Sequence, residues 1–321
     1  MAKIGIMLEA QEDLTWQRWH NVVDRAEALG FESLWRSDHL IPLVSDHKKE
    51  ALEAWVSFAT LAVRTRKIRF GPMVSPMTFR HPSLVAKMAA SIDQLSGGRL
   101  ELGLGAGWHQ EEHVAFGVPF HTMRERFEML EEGLQVIVAL WTRDHVSFNG
   151  KHYSLEKVTC YPKPAQRPHP PIIIGGNGER RTIPLTATYA DEWNASGLTV
   201  EGFTAKREIL RAHCEKAGRE PDSVKCSLMA TLLIGRDEGE LQRRLDRIQG
   251  ITTSGPDLTG LSTRDLVKRG WIAGTPAQIV EQMQALAQAG VWRFVLQIYD
   301  YDDLEVLDIL ASDVMPLIDR D

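Results

Sequence analysis

The stretch KIGIMLEAQEDLTWQRWHNVVDRAEALGFESLWR, Lys3–Arg36, decides the fold. Lys3–Leu8 is a short apolar run of the kind that forms a buried strand. Trp16–Leu29 has the length and apolar spacing of an amphipathic helix and stops at Gly30, the residue type that best takes the left-handed conformation after a last helical turn. Ser33–Arg36 is a second strand. A strand, a helix and a strand in such close succession start the alternation that produces a parallel sheet.

The same rhythm continues outward. Strands are expected at Ile68–Val74, Leu100–Leu104, Ile172–Ile174, Glu192–Ala195, Val224–Leu233 and Phe294–Ile298. Between them fall helices at Ala54–Val63, Leu84–Leu95, Glu179–Thr188, Gly202–Ala217, Glu238–Ile248, Ala277–Ala289 and Asp303–Leu317. A longer helical tract runs from about Glu111 to Leu140, interrupted by Gly117-Val-Pro119. Gly274-Thr-Pro276 marks a helix start, because Thr275 can cap and Pro276 suits the first turn. Eight strand–helix alternations predict an α/β chain closed into a (β/α)8 TIM barrel, with an open doubly wound sheet as the alternative. Two stretches break the rhythm. Thr142–Pro171 carries the turn signal Asn149-Gly150 and five prolines, and reads as a short hairpin followed by an extended loop. Ser254–Trp271 contains glycines, is weakly periodic, and reads as a loop. The whole chain, 1–321, is thus expected to be one domain with insertions near 142–171 and 254–271, both lying over the barrel mouth.

Composition narrows the function. A hydrophobic content of 43% leaves enough apolar side chain for a large single core in 321 residues. The net charge is -6 with both signs interspersed, which argues against a nucleic-acid or membrane-surface partner. The chain does not open on a signal-peptide pattern, and its apolar runs are too short to span a bilayer, so a cytoplasmic protein is expected. Cys160, Cys214 and Cys226 are far apart and odd in number, which fits reduced thiols. The 11 histidines show no zinc-type spacing, so no metal is expected, and without a GxSxG elbow an esterase-type hydrolase is unsupported.

Four constellations carry chemistry. Ser37-Asp38-His39 follows the second strand, where polar residues of a barrel face the active site; the competing reading is a capped turn with a surface histidine. Gly71–Pro82 packs glycine and proline around the end of the third strand, either as a ligand clamp or as a stiff loop with Arg80 and His81 solvated. Gly103-Leu-Gly-Ala-Gly107, followed by Trp108, lets a flat ring approach the backbone. The glutamates Glu111 and Glu112 that follow are well explained as complements of a helix dipole. Ile172-Ile-Ile-Gly-Gly-Asn-Gly178 turns a strand into a helix through three glycines and aims backbone N–H groups at one point, which favours an anion over a plain turn.

Taken in order, Leu34-Trp-Arg-Ser-Asp-His39, Thr78-Phe-Arg-His-Pro82, Asp93-Gln-Leu-Ser-Gly-Gly-Arg-Leu-Glu-Leu-Gly-Leu-Gly-Ala-Gly-Trp108, Glu112-His-Val-Ala-Phe-Gly117, Ile174-Gly-Gly-Asn-Gly178 and Tyr189-Ala-Asp-Glu-Trp193 resemble the bacterial luciferase-like superfamily. More narrowly, they are similar to its branch of oxidoreductases that use coenzyme F420, a 5-deazaflavin. The resemblance covers nearly the whole chain. It implies hydride transfer between the deazaflavin and a small organic substrate, with His39 as the catalytic residue beside the ring and Asp38 at the ring's polar edge. It further implies a cis peptide between Met73 and Val74, with Ser75 next, as a backstop behind the ring. Gly175, Gly176, Asn177 and Gly178 would hold the cofactor phosphate, and the protein would be a homodimer. An FMN-dependent monooxygenase using reduced flavin and O2 is the alternative within the superfamily; a non-catalytic flavin-binding barrel is the alternative outside catalysis. The sugar-phosphate dehydrogenases of the F420 branch carry a catalytic Glu where this chain has Trp108, and their phosphate-binding lysines have no counterpart here, so the resemblance does not extend to that activity.

Overall fold

The computed structural model describes residues 2–318. Its strands are β1 (Lys3–Leu8), β2 (Ser33–Arg36), β3 (Arg69–Pro72), β4 (Ser75–Pro76), β5 (Leu102–Gly105), β6 (Val146–Asn149), β7 (Ser154–Val158), β8 (Ile172–Gly175), β9 (Glu192–Ser196), β10 (Lys225–Ile234), β11 (Ile272–Gly274) and β12 (Arg293–Ile298). One sheet runs in the order β3-β2-β1-β12-β10-β9-β8-β5-β4, with every pairing parallel. Its two ends are halves of one barrel strand. β3 and β4 part at Met73–Val74, whose peptide is cis. β4 pairs with β5, while Phe70 of β3 bridges to Leu100 just before β5. Both halves therefore bond the same neighbour, and the sheet closes as a barrel of eight staves. The open-sheet alternative is excluded.

The staves were legible because parallel strands covered on both faces read as continuous apolar runs. Inside the barrel, Met7, Trp35, Met73, Ile173 and Val295 pack together with Val74 and Met229. The outer faces of the staves join the helices in one large cluster that includes Ile6, Leu34, Phe70, Leu104, Trp193 and Phe294. Adjacent staves approach closely at Gly103, where a Cβ would lie 2.0 Å from the carbonyl oxygen of Pro72. No side chain fits at that distance.

The helices follow the expected pattern with instructive departures. Trp16–Leu29 has the expected bounds; Thr15 caps it, and Gly30 ends it at φ 78°. The tract from Glu111 to Leu140 is two helices, Gln110–Ala115 and Met123–Thr142, the second restarting on a Thr122/Glu125 capping box. The helix expected at Glu179 begins at Thr182, so Glu179, Arg180 and Arg181 belong to the turn before it. Asp303–Leu317 runs as Glu305–Ile309, a π-helical turn at Leu310–Val314, and Met315–Ile318. Thr142–Pro171 holds the antiparallel β6–β7 hairpin outside the barrel, as expected, but it does not line the mouth: its end, Pro168, His169 and Pro171, lines a cavity with Glu101, Glu192 and Arg293 at the N-terminal end, where the chain enters β8. Ser254–Trp271 is not simply a loop. It contains the helix Thr263–Lys268, capped reciprocally by Ser262 and Asp265. That helix buries Leu266 in a satellite cluster with Leu233, Leu245 and Leu258. The following strand β11, unanticipated in the sequence, extends the end of β10.

The N-terminal end of the barrel is plugged by charge. Arg293 is 1% exposed and donates to both oxygens of Glu101 at 2.8 and 3.1 Å and to Glu32 at 3.2 Å. Glu192 lies 3.4 Å away. Arg69 completes the network by pairing with Glu101. Burial, with the like charges of Glu101 and Glu32, pushes the Glu192 carboxyl up to about 7 against the pull of Arg293.

Candidate active site

The opposite, C-terminal end of the barrel holds a cavity of about 670 Å³. Each stave contributes to its wall: Glu9 after β1, His39 after β2, Met73 and Val74 at the β3–β4 break, Trp108 after β5, Gly175 at β8, Asn194 on β9, Met229 on β10 and Gln297 on β12. This is where strand geometry brings chain ends together, and where barrel active sites form. Among the described residues no group of three or more His, Cys, Asp or Glu side chains is placed to hold a metal ion.

His39 is held on this wall by a buried carboxylate. Its Nδ1 lies 2.9 and 3.1 Å from the two carboxylate oxygens of Glu112. Glu112 is 1% exposed and also accepts the backbone N–H of Leu40 at 3.0 Å. With Nδ1–H committed to the carboxylate, the tautomer is fixed and Nε2 is the nitrogen left for chemistry. Burial depresses the imidazole pKa, but the hydrogen bond and charge of Glu112, with Glu9 and Asp38 behind it, more than offset burial and hold it above its ordinary value. The surface-histidine reading of His39 therefore fails. Glu112 was hidden in the sequence: it sits beside Glu111 in the first turn of a short helix, yet Glu111 is solvent-exposed and Glu112 is sealed in. Local pattern does not separate the two, because the partner lies 73 residues away.

Asp38 and Ser75 stand behind the wall rather than on it. Asp38 is 2% exposed, takes the Arg80 guanidinium at 2.6 and 3.1 Å, and accepts the Ser75 hydroxyl. Arg80 also bonds Glu53, so it is a brace between β2 and β4 and not a solvated side chain. In the glycine turn, Gly175 and Gly176 line the cavity while Asn177 and Gly178 shape the turn. The Asn177 amide clasps Ser196, donating to its carbonyl at 2.7 Å and accepting its N–H at 3.1 Å. A Cβ at Gly178 would lie 2.8 Å from the Thr182 hydroxyl, and one at Gly175 would lie 2.9 Å from Val74. Gly176 sits at φ 123°, which strains any other residue, and its N–H already donates to Asn194. Glu12 fastens the loop after β2, accepting from the N–H groups of Leu43 at 2.7 Å and Val44 at 3.1 Å and from the Ser45 hydroxyl.

Residues 1–293 match the Luciferase-like monooxygenase family. The chain is 27% identical to an FMNH(2)-dependent dimethylsulfone monooxygenase of Pseudomonas putida, over 98% of this chain and 91% of that protein. It is 29% identical to an F420-dependent glucose-6-phosphate dehydrogenase of Amycolatopsis mediterranei (strain U-32), over 91% of each. Among solved structures, an F420-dependent secondary alcohol dehydrogenase in complex with an F420-acetone adduct superposes with a TM-score of 0.83 at 21% identity, covering 100% of this chain and 99% of that one. At that identity the superposition speaks for the fold alone.

Proposed function

Because the chain belongs to the Luciferase-like monooxygenase family, we propose that it is an F420-dependent oxidoreductase acting on a small organic substrate. The observation that carries this reading is the buried Glu112–His39 pair on the wall of a cavity to which all eight staves contribute. F420-dependent dehydrogenases among the relatives support the choice of cofactor.

The wall fits a flat ring. Met73 and Val74 present an apolar surface, and Gly175 leaves open a space that a side chain would contest with Val74. Gly175 and Gly176 would bring backbone close to the cofactor, Asn177 and Gly178 hold that turn in shape, and exposed Arg180 and Arg181 follow it with charge suited to an anionic tail. Asp38 and Ser75 are positioning residues that fix the β2 and β4 ends from behind. Bound F420 supplies hydride donor and acceptor chemistry at C5 of its ring. His39 would hold and move the proton, donating it to the oxygen of a carbonyl substrate and taking it back from the alcohol in reverse. Glu112 keeps the ring oriented and stabilises its protonated form.

The FMN reading has its own support in the dimethylsulfone monooxygenase relative. Turnover separates the two. With reduced F420 and a ketone substrate, anaerobic cofactor oxidation is expected at the aerobic rate. Turnover only with reduced FMN, and only with O2, would overturn the deazaflavin assignment; no turnover with either would favour a binding protein. The same reading takes 1–321 as one barrel domain in a cytoplasmic homodimer. Exposed Val56 and Val63 on helix Ala54–Arg64, beside exposed Leu84 and Leu95 on Pro82–Ser96, supply an apolar outer face for a second copy. Among the described residues no helix is long and apolar enough to cross a membrane.

A further inference from the structure

We infer that the substrate is uncharged with an apolar body, that acids and phosphate esters are excluded, and that Trp108 is the residue that reads this property. The inference rests on the oxidoreductase reading for what is transferred, but its argument is the charge of the cavity.

Three carboxylates, Glu9, Glu12 and Glu112, line the cavity, and among the described residues neither Lys nor Arg does. Every bond these carboxylates make is accepted from a donor. Glu9 takes the side-chain amides of Gln11 at 2.8 Å and of Gln297. Glu12 takes backbone and hydroxyl donors, and Glu112 takes His39 and Leu40. The charge of a protonated His39 is already matched by Glu112. An anionic group entering here would shed water, find no Lys or Arg and only histidines that already face Glu112, and meet like charge across a confined space.

A side annexe does not rescue an anion. A second cavity of about 250 Å³ shares Glu12 and Tyr299 with the first and contains Arg18, Lys49 and Arg247. Each is already paired: Arg18 with Asp13 and Asp302, Lys49 with Asp13, and Arg247 with Asp300. The exposed cations Arg180 and Arg181 follow the glycine turn after β8, the part of the wall assigned to the cofactor.

The wall also offers the substrate an apolar side. Leu43 and Val44 line the cavity on the loop that Glu12 pins. Trp108 lines it beside His39, their rings edge to face at 5.9 Å, and is 65% exposed. Trp108 meets the rings of His39 and His109 only edge to face, so most of its aromatic surface is left uncovered next to the proton donor, and burying it against an apolar substrate body is favourable.

The test uses two ketones that differ only in a remote substituent, 4-methylacetophenone and 4-acetylbenzoate. Both are titrated calorimetrically into cofactor-free and F420-loaded protein. The methyl ketone is expected to bind at least tenfold more tightly than the benzoate. Trp108→Glu should weaken the methyl ketone at least fivefold on cofactor-free protein. Equal or tighter binding of 4-acetylbenzoate, or no binding of either ketone, overturns the charge rule. A Trp108→Glu protein that binds the methyl ketone like wild type removes Trp108 from it. If F420 itself fails to bind, the cofactor reading falls alone, because the ketone comparison on cofactor-free protein still decides the charge rule.

Discussion

His39→Ala should lower turnover by at least about tenfold, with general acid–base losses of about 10²–10⁴-fold as the natural range, and should change F420 affinity far less. The side chain lines the cavity, and its Nδ1 is committed to a buried carboxylate. Glu112→Gln is the informative companion. It keeps the shape and removes the charge that, against burial, holds the imidazole above its ordinary value. The His39 pKa should then fall, and the alkaline limb of the pH–rate profile for carbonyl reduction should move to lower pH. The sign for stability is the same. The folded pKa is raised, so the pair's contribution is complete below the unfolded value of 6.5 and is lost as pH rises through the folded value. A Glu112→Gln enzyme with an unmoved pH limb would mean that the pair is only structural.

Arg293→Ala should cost about 3–5 kcal/mol of folding stability without touching the active-site wall. Arg293 is 1% exposed at the far end of the barrel and faces Glu32, Glu101 and Glu192. Its removal leaves like charges buried with Arg69 as the remaining close cation on Glu101. It also deletes a guanidinium packed over Trp35 and Trp292 at 5.1 and 4.5 Å. Glu192 sets a pH signature for this plug. Between its ordinary value of 4.5 and about 7, the folded chain holds a proton that the unfolded chain has released. Its contribution to stability therefore falls as pH rises through that window, and losing Arg293 should extend the window upward. Urea unfolding at several pH values measures both effects; a variant as stable as wild type would show that the carboxylates relax or take up protons at negligible cost.

The barrel was legible because its staves are buried on both faces, and because Gly30 and the Thr275-Pro276 start punctuate the helices between them. β11 was not: Ile272–Gly274 is too short to carry a period, and it owes its pairing to the end of β10. The helix Thr263–Lys268 was lost among glycines and is held by the satellite cluster under it. At the site, position after a strand found His39 and the glycine turn. Glu112 was missed because its burial depends on a contact across 73 residues. For Asp38 the sequence gives a residue next to the site, while its guanidinium partner is 42 positions on, so which side of the wall the carboxylate faces is settled only by the fold.

The central claim is that this barrel mouth holds a deazaflavin. Equilibrium titration of the purified protein with F420, followed by quenching of the cofactor's own fluorescence and repeated with FMN, tests it directly. Saturable F420 binding at one site per chain, tighter than FMN, is the predicted result; saturation by FMN with no saturable F420 signal would contradict it.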